Sequence, residues 1–184
     1  MAENLILSNF RDIEDDFAII VLTSGGRLDD TNSSIVKELM KKRHMCLYVA
    51  INQPYSRMLH LMQKRDVDVD RVFFIDCITE TSGGKAERAG NCLYVNSPSN
   101  LTELSIAISQ ALQAIPGQKF LFMDALSTLI IYNTPNSFAK FAHFLMTRVK
   151  LMGLNGIFMV VEKEMEDQVF SRISQFSDRI IRLN

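Results

Sequence analysis

The sequence predicts an α/β fold in three layers, with helices on both faces of a mainly parallel central sheet. Short apolar runs alternate with segments in which apolar residues recur every three or four positions. The runs are continuously apolar, which is typical of strands that are covered on both faces. The chain has 184 residues, of which 47% are apolar, enough to bury a core without disulfides or metal. We expect one domain over residues 1–184.

Each predicted element follows from one of these two patterns. The apolar runs predict strands at residues 17–23, 46–52, 72–76, 92–95, 120–124, 156–162 and 179–183. Helical periodicity predicts helices at residues 33–43, 55–65, 101–114, 136–152 and 164–176. In residues 136–152 a single apolar stripe contains Phe138, Phe141, Leu145, Val149 and Met152. The alternation of strand and helix predicts parallel strands joined by right-handed crossovers.

The composition argues against several classes of function. The formal net charge is −1, so nucleic acid is not indicated as a partner. The three cysteines, Cys46, Cys77 and Cys92, have apolar neighbours, which predicts buried free thiols in a reducing cytoplasm. The sequence has neither a CxxC motif nor a Cys/His cluster, so we expect no bound metal. It also has no signal-peptide pattern and no apolar run long enough for a membrane span.

Two predicted strands end on an aspartate, Asp76 and Asp124. In open α/β sheets ligands bind at the carboxyl edge of the strands. A carboxylate at that edge can hold Mg²⁺, or it can stop the strand and cap the next helix. The residues themselves leave both interpretations open.

Residues 21–42 have the outline of a phosphate-binding loop. The first apolar strand runs into Gly25 and Gly26, and an apolar-periodic helix follows. The nucleotide-binding motif GxxxxGK[ST] places its lysine and hydroxyl at the start of such a helix, where backbone N–H groups favour anions. That lysine is missing here, and Asp29 and Asp30 precede its place. The segment is therefore a nucleotide site, a degenerate one, or an ordinary turn with helix-capping residues.

Residues 119–133, KFLFMDALSTLIIYN, and residues 176–183, FSDRIIRL, resemble RecA-like ATPases of the circadian-clock KaiC and archaeal recombinase-paralogue type. The resemblance runs from residue 17 to the end and is strongest over residues 119–145. It is closest to the short, single-domain archaeal relatives. It implies a RecA-like P-loop core in which Asp124 matches the Walker B aspartate. It also implies side-by-side assembly of protomers, since family members bind nucleotide between them.

The resemblance sets the register of the phosphate-binding loop. With Gly26 on the first glycine, Thr31 takes the place of the second glycine. Asn32 then replaces the lysine, and Ser33 matches the hydroxyl that binds magnesium. Asn32 brings no positive charge, and the loss of a charge-assisted hydrogen bond weakens phosphate binding by about 1.5–3 kcal/mol. Together with Asp124, these are degenerate nucleotide-site positions.

A second departure concerns hydrolysis. RecA-like enzymes carry a catalytic glutamate just past the second strand, and the matching positions here are Asn52 and Gln53. An amide cannot accept a proton at neutral pH, and loss of a general base costs about 10²- to 10⁴-fold in rate. Two losses in one constellation indicate a protein released from hydrolysis.

The sequence therefore favours a pseudo-ATPase that acts through a protein partner or as a homo-oligomer, without catalytic residues and without a resident cofactor. Residual binding of ATP and Mg²⁺ is the alternative for Asp124 and Ser33. A second hypothesis is a divergent ATPase in which Arg27, or Lys85 from the loop TSGGKAE at residues 81–87, replaces the lysine. A third is a DNA-associated accessory protein, which the near-neutral charge does not favour.

Overall fold

Within the residues that the computed structural model describes, which are 10, 16–42, 44–86 and 89–183, seven strands form one sheet. The strands are β1 (Ala18–Thr23), β2 (Met45–Ala50), β3 (Val72–Asp76), β4 (Cys92–Tyr94), β5 (Lys119–Met123), β6 (Asn155–Val161) and β7 (Arg179–Arg182). Their spatial order is β4-β3-β2-β5-β6-β1-β7, and each neighbouring pair is parallel. The predicted strands are confirmed to within about two residues at each end.

Helices connect most consecutive strands; among the described residues, β3 and β4 are joined by a loop. The helices are α1 (Leu28–Met40), α2 (Tyr55–Gln63), α3 (Leu101–Ala114), α4 (Leu129–Tyr132), α5 (Pro135–Leu151) and α6 (Asp167–Ser174). Short 3₁₀ turns lie at Gly25–Arg27, Val69–Arg71 and Leu126–Thr128. None of the helices in the described part of the chain has the length and apolarity to cross a bilayer.

Local sequence explains where two of the long helices begin. The Asn100 side chain accepts a hydrogen bond from the Glu103 backbone N–H at 3.1 Å and so caps α3. Thr134 caps α5 in the same way, at 3.3 Å from the Ser137 N–H. Pro135 occupies the first helical position of α5, where its missing N–H costs no hydrogen bond. Both helices begin within one residue of their predicted starts at residues 101 and 136.

The sheet is covered on both faces. Alternate residues of a strand point to opposite faces, and in β1 both sets are buried and, apart from Thr23, apolar. Ile20 and Leu22 belong to a core with residues of α3, α5 and α6. Ile19 and Val21 belong to a second core with residues of α1 and α2. This confirms the three-layer α/β prediction and explains why the strands are continuously apolar.

The start of the first helix differs from the prediction. α1 begins at Leu28, whereas the sequence predicted a start at residue 33 and capping or turn roles for residues 29–33. The 3₁₀ turn Gly25–Arg27 leads directly into α1, and the Arg27 N–H donates to the Ser24 carbonyl at 3.1 Å. Leu28 is buried and anchors the first turn against the sheet. Residues 29–33 therefore form regular helix.

Candidate functional site

Two candidate residues meet at the carboxyl edge of the sheet. Asn32 lies in the second turn of α1, and Asp124 directly follows β5; both are fully buried. The Asn32 amide Nδ2 donates to Asp124 Oδ1 at 2.9 Å and approaches the Tyr48 hydroxyl at 3.3 Å. The residue in the lysine's place thus hydrogen-bonds directly to the residue that matches the Walker B aspartate.

The other candidate positions lie in separate surroundings. Thr31 and Ser33 are buried within α1, and the Ser33 hydroxyl donates to the Asp29 carbonyl one turn earlier, at 3.0 Å. Gly26 is exposed in the 3₁₀ turn, and a Cβ there would meet no atom within 4 Å. The helix starts before Thr31, so the N–H groups of Thr31, Asn32 and Ser33 lie inside α1 and not in a loop that encloses an anion.

Burial dominates the electrostatics of Asp124. It raises the pKa of this carboxyl group from its ordinary 3.8 to about 7; the Tyr48 hydroxyl and the Asn32 amide lower the pKa, and the charge of Asp29 raises it. Tyr48 is itself buried in the middle of β2, with its ring stacked on Phe122 at a centroid distance of 5.2 Å. Burial thus favours the neutral form of this acid far more than exposure to water would.

Two acceptor atoms of this pair have no hydrogen-bond partner in the part of the chain that the structure describes. Oδ2 of Asp124 and Oδ1 of Asn32 have no partner among the described residues. Both atoms are acceptors while Asp124 is ionised, so they cannot satisfy each other. Ala125, the next residue, adopts left-handed backbone angles with φ of 46° and turns the chain away from the edge.

The residues past β2 also take part in fixed contacts. Asn52 Oδ1 accepts a hydrogen bond from the Thr128 hydroxyl at 2.6 Å, which ties the end of β2 to the turn after β5. Gln53 is half-buried. The neighbouring Ser127 hydroxyl donates to Glu164 at 2.9 Å and accepts from the Val161 N–H at 3.1 Å. The edge between β2, β5 and β6 is therefore tied together by side chains.

Asp76 and Asp124 do not form one site, because β2 separates their strands in the sheet. Asp76 accepts hydrogen bonds from the backbone N–H groups of Tyr55, Ile78 and Thr79 and from the Thr79 hydroxyl. Both carboxylate oxygens are therefore in use. Asp76 fixes the start of α2 and the loop after β3, as the capping interpretation of strand-end aspartates expects.

The two residues considered as replacements for the lysine, Arg27 and Lys85, lie in different parts of the fold. Arg27 is exposed at the start of α1, whereas Lys85 lines a different pocket beside β4. The described residues contain no group of three or more His, Cys, Asp or Glu side chains that could hold a metal ion. The three cysteines are buried free thiols, as predicted.

Sequence reasoning missed Tyr48. It reads as one more apolar residue in CLYVA, but its hydroxyl is buried beside Asn32 and Asp124. A buried tyrosine hydroxyl usually has a polar partner. A tyrosine in the middle of a buried strand therefore indicates that a polar side chain lies close to it.

The fold is similar to archaeal RecA-like structures. An uncharacterized protein from Pyrococcus horikoshii, PH0321, solved in complex with an unknown peptide, superimposes with a TM-score of 0.69 at 12% identity. That match covers 92% of this chain and 78% of PH0321. The flagellar accessory protein FlaH from Methanocaldococcus jannaschii matches with a TM-score of 0.58 at 13% identity, over 92% of this chain and 72% of FlaH.

These likenesses confirm an α/β fold of the RecA-like kind. No curated protein matches the sequence itself. A family model, described as a family of unknown function, matches residues 20–183. Because that match spans nearly the whole sequence, the chain belongs to the family DUF7504.

Proposed function

We propose that the chain is a non-catalytic RecA-like domain, a pseudo-ATPase, that acts by binding another protein. The observation that carries the proposal is the buried hydrogen bond of 2.9 Å between Asn32 and Asp124. In an active site of this type, a lysine and an aspartate would instead face the phosphates and Mg²⁺. Here both side chains face each other.

The start of α1 argues against a bound triphosphate. A phosphate-binding loop needs free backbone N–H groups that point to the anion. The 3₁₀ turn Gly25–Arg27 and the helix begun at Leu28 occupy that part of the chain. The first turn of α1 contributes two carboxylates, Asp29 and Asp30. Each would repel a phosphate charge by about 1 kcal/mol at close range, even in bulk water.

The geometry also disfavours Mg²⁺. This ion prefers six oxygen ligands at about 2.0–2.1 Å and usually keeps several waters. Asp124 is 0% exposed, so hydrated metal has no approach to it, and the Ser33 hydroxyl already donates within α1. Asn52 is held by Thr128 and offers no base for an attacking water. These contacts support the proposal that the chain neither binds Mg²⁺ at Asp124 nor activates a water at Asn52.

A protein partner is favoured by two observations. PH0321 was crystallised with an unknown peptide, and FlaH is a flagellar accessory protein. This chain also exposes large apolar side chains on α4 and α5, namely Ile131 (74%), Phe144 (44%) and Leu151 (83%). An oligomer of the chain itself is the other form of the same proposal. The buried thiols suit a cytoplasmic location.

Calorimetry with Mg-ATP and a phosphate-release assay test the proposal. We expect neither binding nor turnover from the full chain. The matched control is Asp124→Asn, which keeps the shape of the side chain, with circular dichroism to verify folding. Turnover that the folded variant loses would refute the pseudo-ATPase, whereas turnover that persists unchanged in the variant identifies a contaminating enzyme. Sedimentation equilibrium measures whether the chain forms its own oligomer.

A further inference from the structure

A pocket of about 610 Å³ lies beside the carboxyl ends of β3 and β4. It is at the opposite side of β2 from Asp124. Its walls include the rings of Tyr55 and Tyr94, the aliphatic Leu59, and the polar side chains of Ser82 and Lys85. The volume falls within the range of about 300–1,000 Å³ that is typical of small-molecule sites.

Asp76 lies behind this pocket and positions three of the residues that line it. One of its carboxylate oxygens accepts the Tyr55 N–H at 2.7 Å, and the other accepts the N–H groups of Ile78 and Thr79 at 2.7 and 2.9 Å. A single buried carboxylate therefore fixes α2 relative to the loop after β3. Because Tyr55, Ile78 and Thr79 all line the pocket, their positions are set before any ligand arrives.

The glycines in TSGGKAE place Lys85 at the same pocket. The Gly84 N–H donates to the Thr79 carbonyl at 2.8 Å. A Cβ at Gly84 would lie only 2.9 Å from that oxygen, so the close approach requires glycine. Gly83 has φ of 76°, in the region that favours glycine. The turn thus closes on Thr79 and directs the chain so that Lys85 lines the pocket.

The aromatic wall is held firmly. The Tyr55 ring packs edge-on against Phe74 at a centroid distance of 5.0 Å, and its hydroxyl donates to Asn91 at 2.9 Å. The pKa of Tyr94 is raised to about 12, mainly by burial and in addition by Cys92, Asp76 and Tyr55. Burial also raises the pKa of Tyr55. Both phenols therefore stay neutral at physiological pH and offer uncharged aromatic surfaces.

Lys85 is the one charged side chain among the described residues that line the pocket. A single cation beside two neutral aromatic rings matches a ligand with one negative charge on a flat apolar body. It does not match a triphosphate, which would need several cations. We propose that this pocket binds a small aromatic monocarboxylate, with its ring against Tyr55 and Tyr94 and its carboxylate at Lys85.

The probes are phenylacetate and its neutral isostere phenylacetamide, titrated into the isotopically labelled full chain and followed by amide NMR shifts. We expect phenylacetate to shift signals of residues that line the pocket and to bind about tenfold more tightly than phenylacetamide, because only the acid forms a charge-assisted hydrogen bond. Equal binding of the two probes, or shifts confined to another surface, would overturn the proposal.

Variants separate the charge from the ring. Lys85→Gln should reduce phenylacetate affinity about tenfold and leave phenylacetamide unchanged. Lys140→Gln is the matched control, since Lys140 is also exposed but lines a separate groove on α5, and it should bind like the wild type. Tyr94→Leu should weaken both probes, because it keeps apolar volume and removes the ring. Unchanged phenylacetate binding by Lys85→Gln would refute the assignment. These outcomes are independent of ATP binding, so this inference and the pseudo-ATPase proposal fail separately.

Discussion

Replacement of Asp124 by asparagine should change the dependence of stability on pH. The pKa of Asp124 is about 7 in the folded protein and ordinarily 3.8, so the folded state binds the proton more tightly than the unfolded state. The free energy of unfolding contributed by this group therefore rises as pH falls through 7, until pH approaches 3.8. It is lowest above pH 7, where the buried carboxylate is ionised.

The magnitude follows from the linkage between proton binding and folding. Each pH unit between the two pKa values contributes about 1.4 kcal/mol. Because the slope is only half its full value at pH 7, lowering the pH from about 7 to about 5 should stabilise the wild type by about 2 kcal/mol through this group. Asparagine stays neutral, so the variant buries no charge at this position at any pH. At about pH 8 the free energy of unfolding of the variant should therefore be about 1–3 kcal/mol higher than that of the wild type.

Urea denaturation followed by far-ultraviolet circular dichroism measures this difference. The difference in unfolding free energy between wild type and Asp124→Asn should be largest at high pH and shrink as the pH falls. The comparison cancels the titration of other groups, which both proteins share. Two curves that stay parallel between about pH 8 and about pH 5 would refute a titrating Asp124.

Three further substitutions test separate contacts by the same denaturation assay. Asn32→Leu removes the amide that donates to Asp124, and we expect a loss of about 1.5–3 kcal/mol above neutral pH, where the acceptor is charged. Asp76→Asn replaces one of two saturated oxygens with a donor that faces other donors, which should cost about 2–4 kcal/mol. Gly156→Ala places a Cβ 2.8 Å from the Phe158 ring, and overpacking of this kind should cost about 1–3 kcal/mol.

Surface substitutions of the same chemistry serve as controls. Asp68→Asn removes an exposed partner of Arg71 and should change stability by less than about 1 kcal/mol. Gly90→Ala adds a Cβ that meets no atom within 4 Å, and we expect it to unfold like the wild type. If a buried variant is no less stable than its control, the contact assigned to that residue is wrong.

The layers of the fold were predictable because a strand that is buried on both faces has a continuously apolar sequence. In β1, for example, Ile19 and Ile20 are both apolar although they point to opposite cores. The start of α1 was not predictable from the same pattern. Asp29 and Asp30 are as favourable in the first turn of a helix as they are in a cap. What decides between the two is the burial of Leu28, a tertiary contact.

The candidate site shows the same limit. The family resemblance brought Asn32 and Asp124 into one constellation, but their hydrogen bond joins residues 92 positions apart and is visible only in the folded chain. Asp76 and Asp124 look alike in sequence, since each ends an apolar run. They differ because Asp76 accepts from three backbone N–H groups, whereas the contacts that lower the pKa of Asp124 come from two side chains, those of Asn32 and Tyr48.

The position of β1 in the sheet also determines when the protein can finish folding during its synthesis. This strand pairs only with β6 and β7 among the described strands, and its first N–H donates to Asp178, 160 residues downstream. During synthesis on the ribosome, Ala18–Thr23 therefore remains an unpaired apolar segment until almost the entire chain has emerged. Such late, long-range pairing slows folding and exposes nascent chains to aggregation, so polypeptides released before β6 should depend on chaperones.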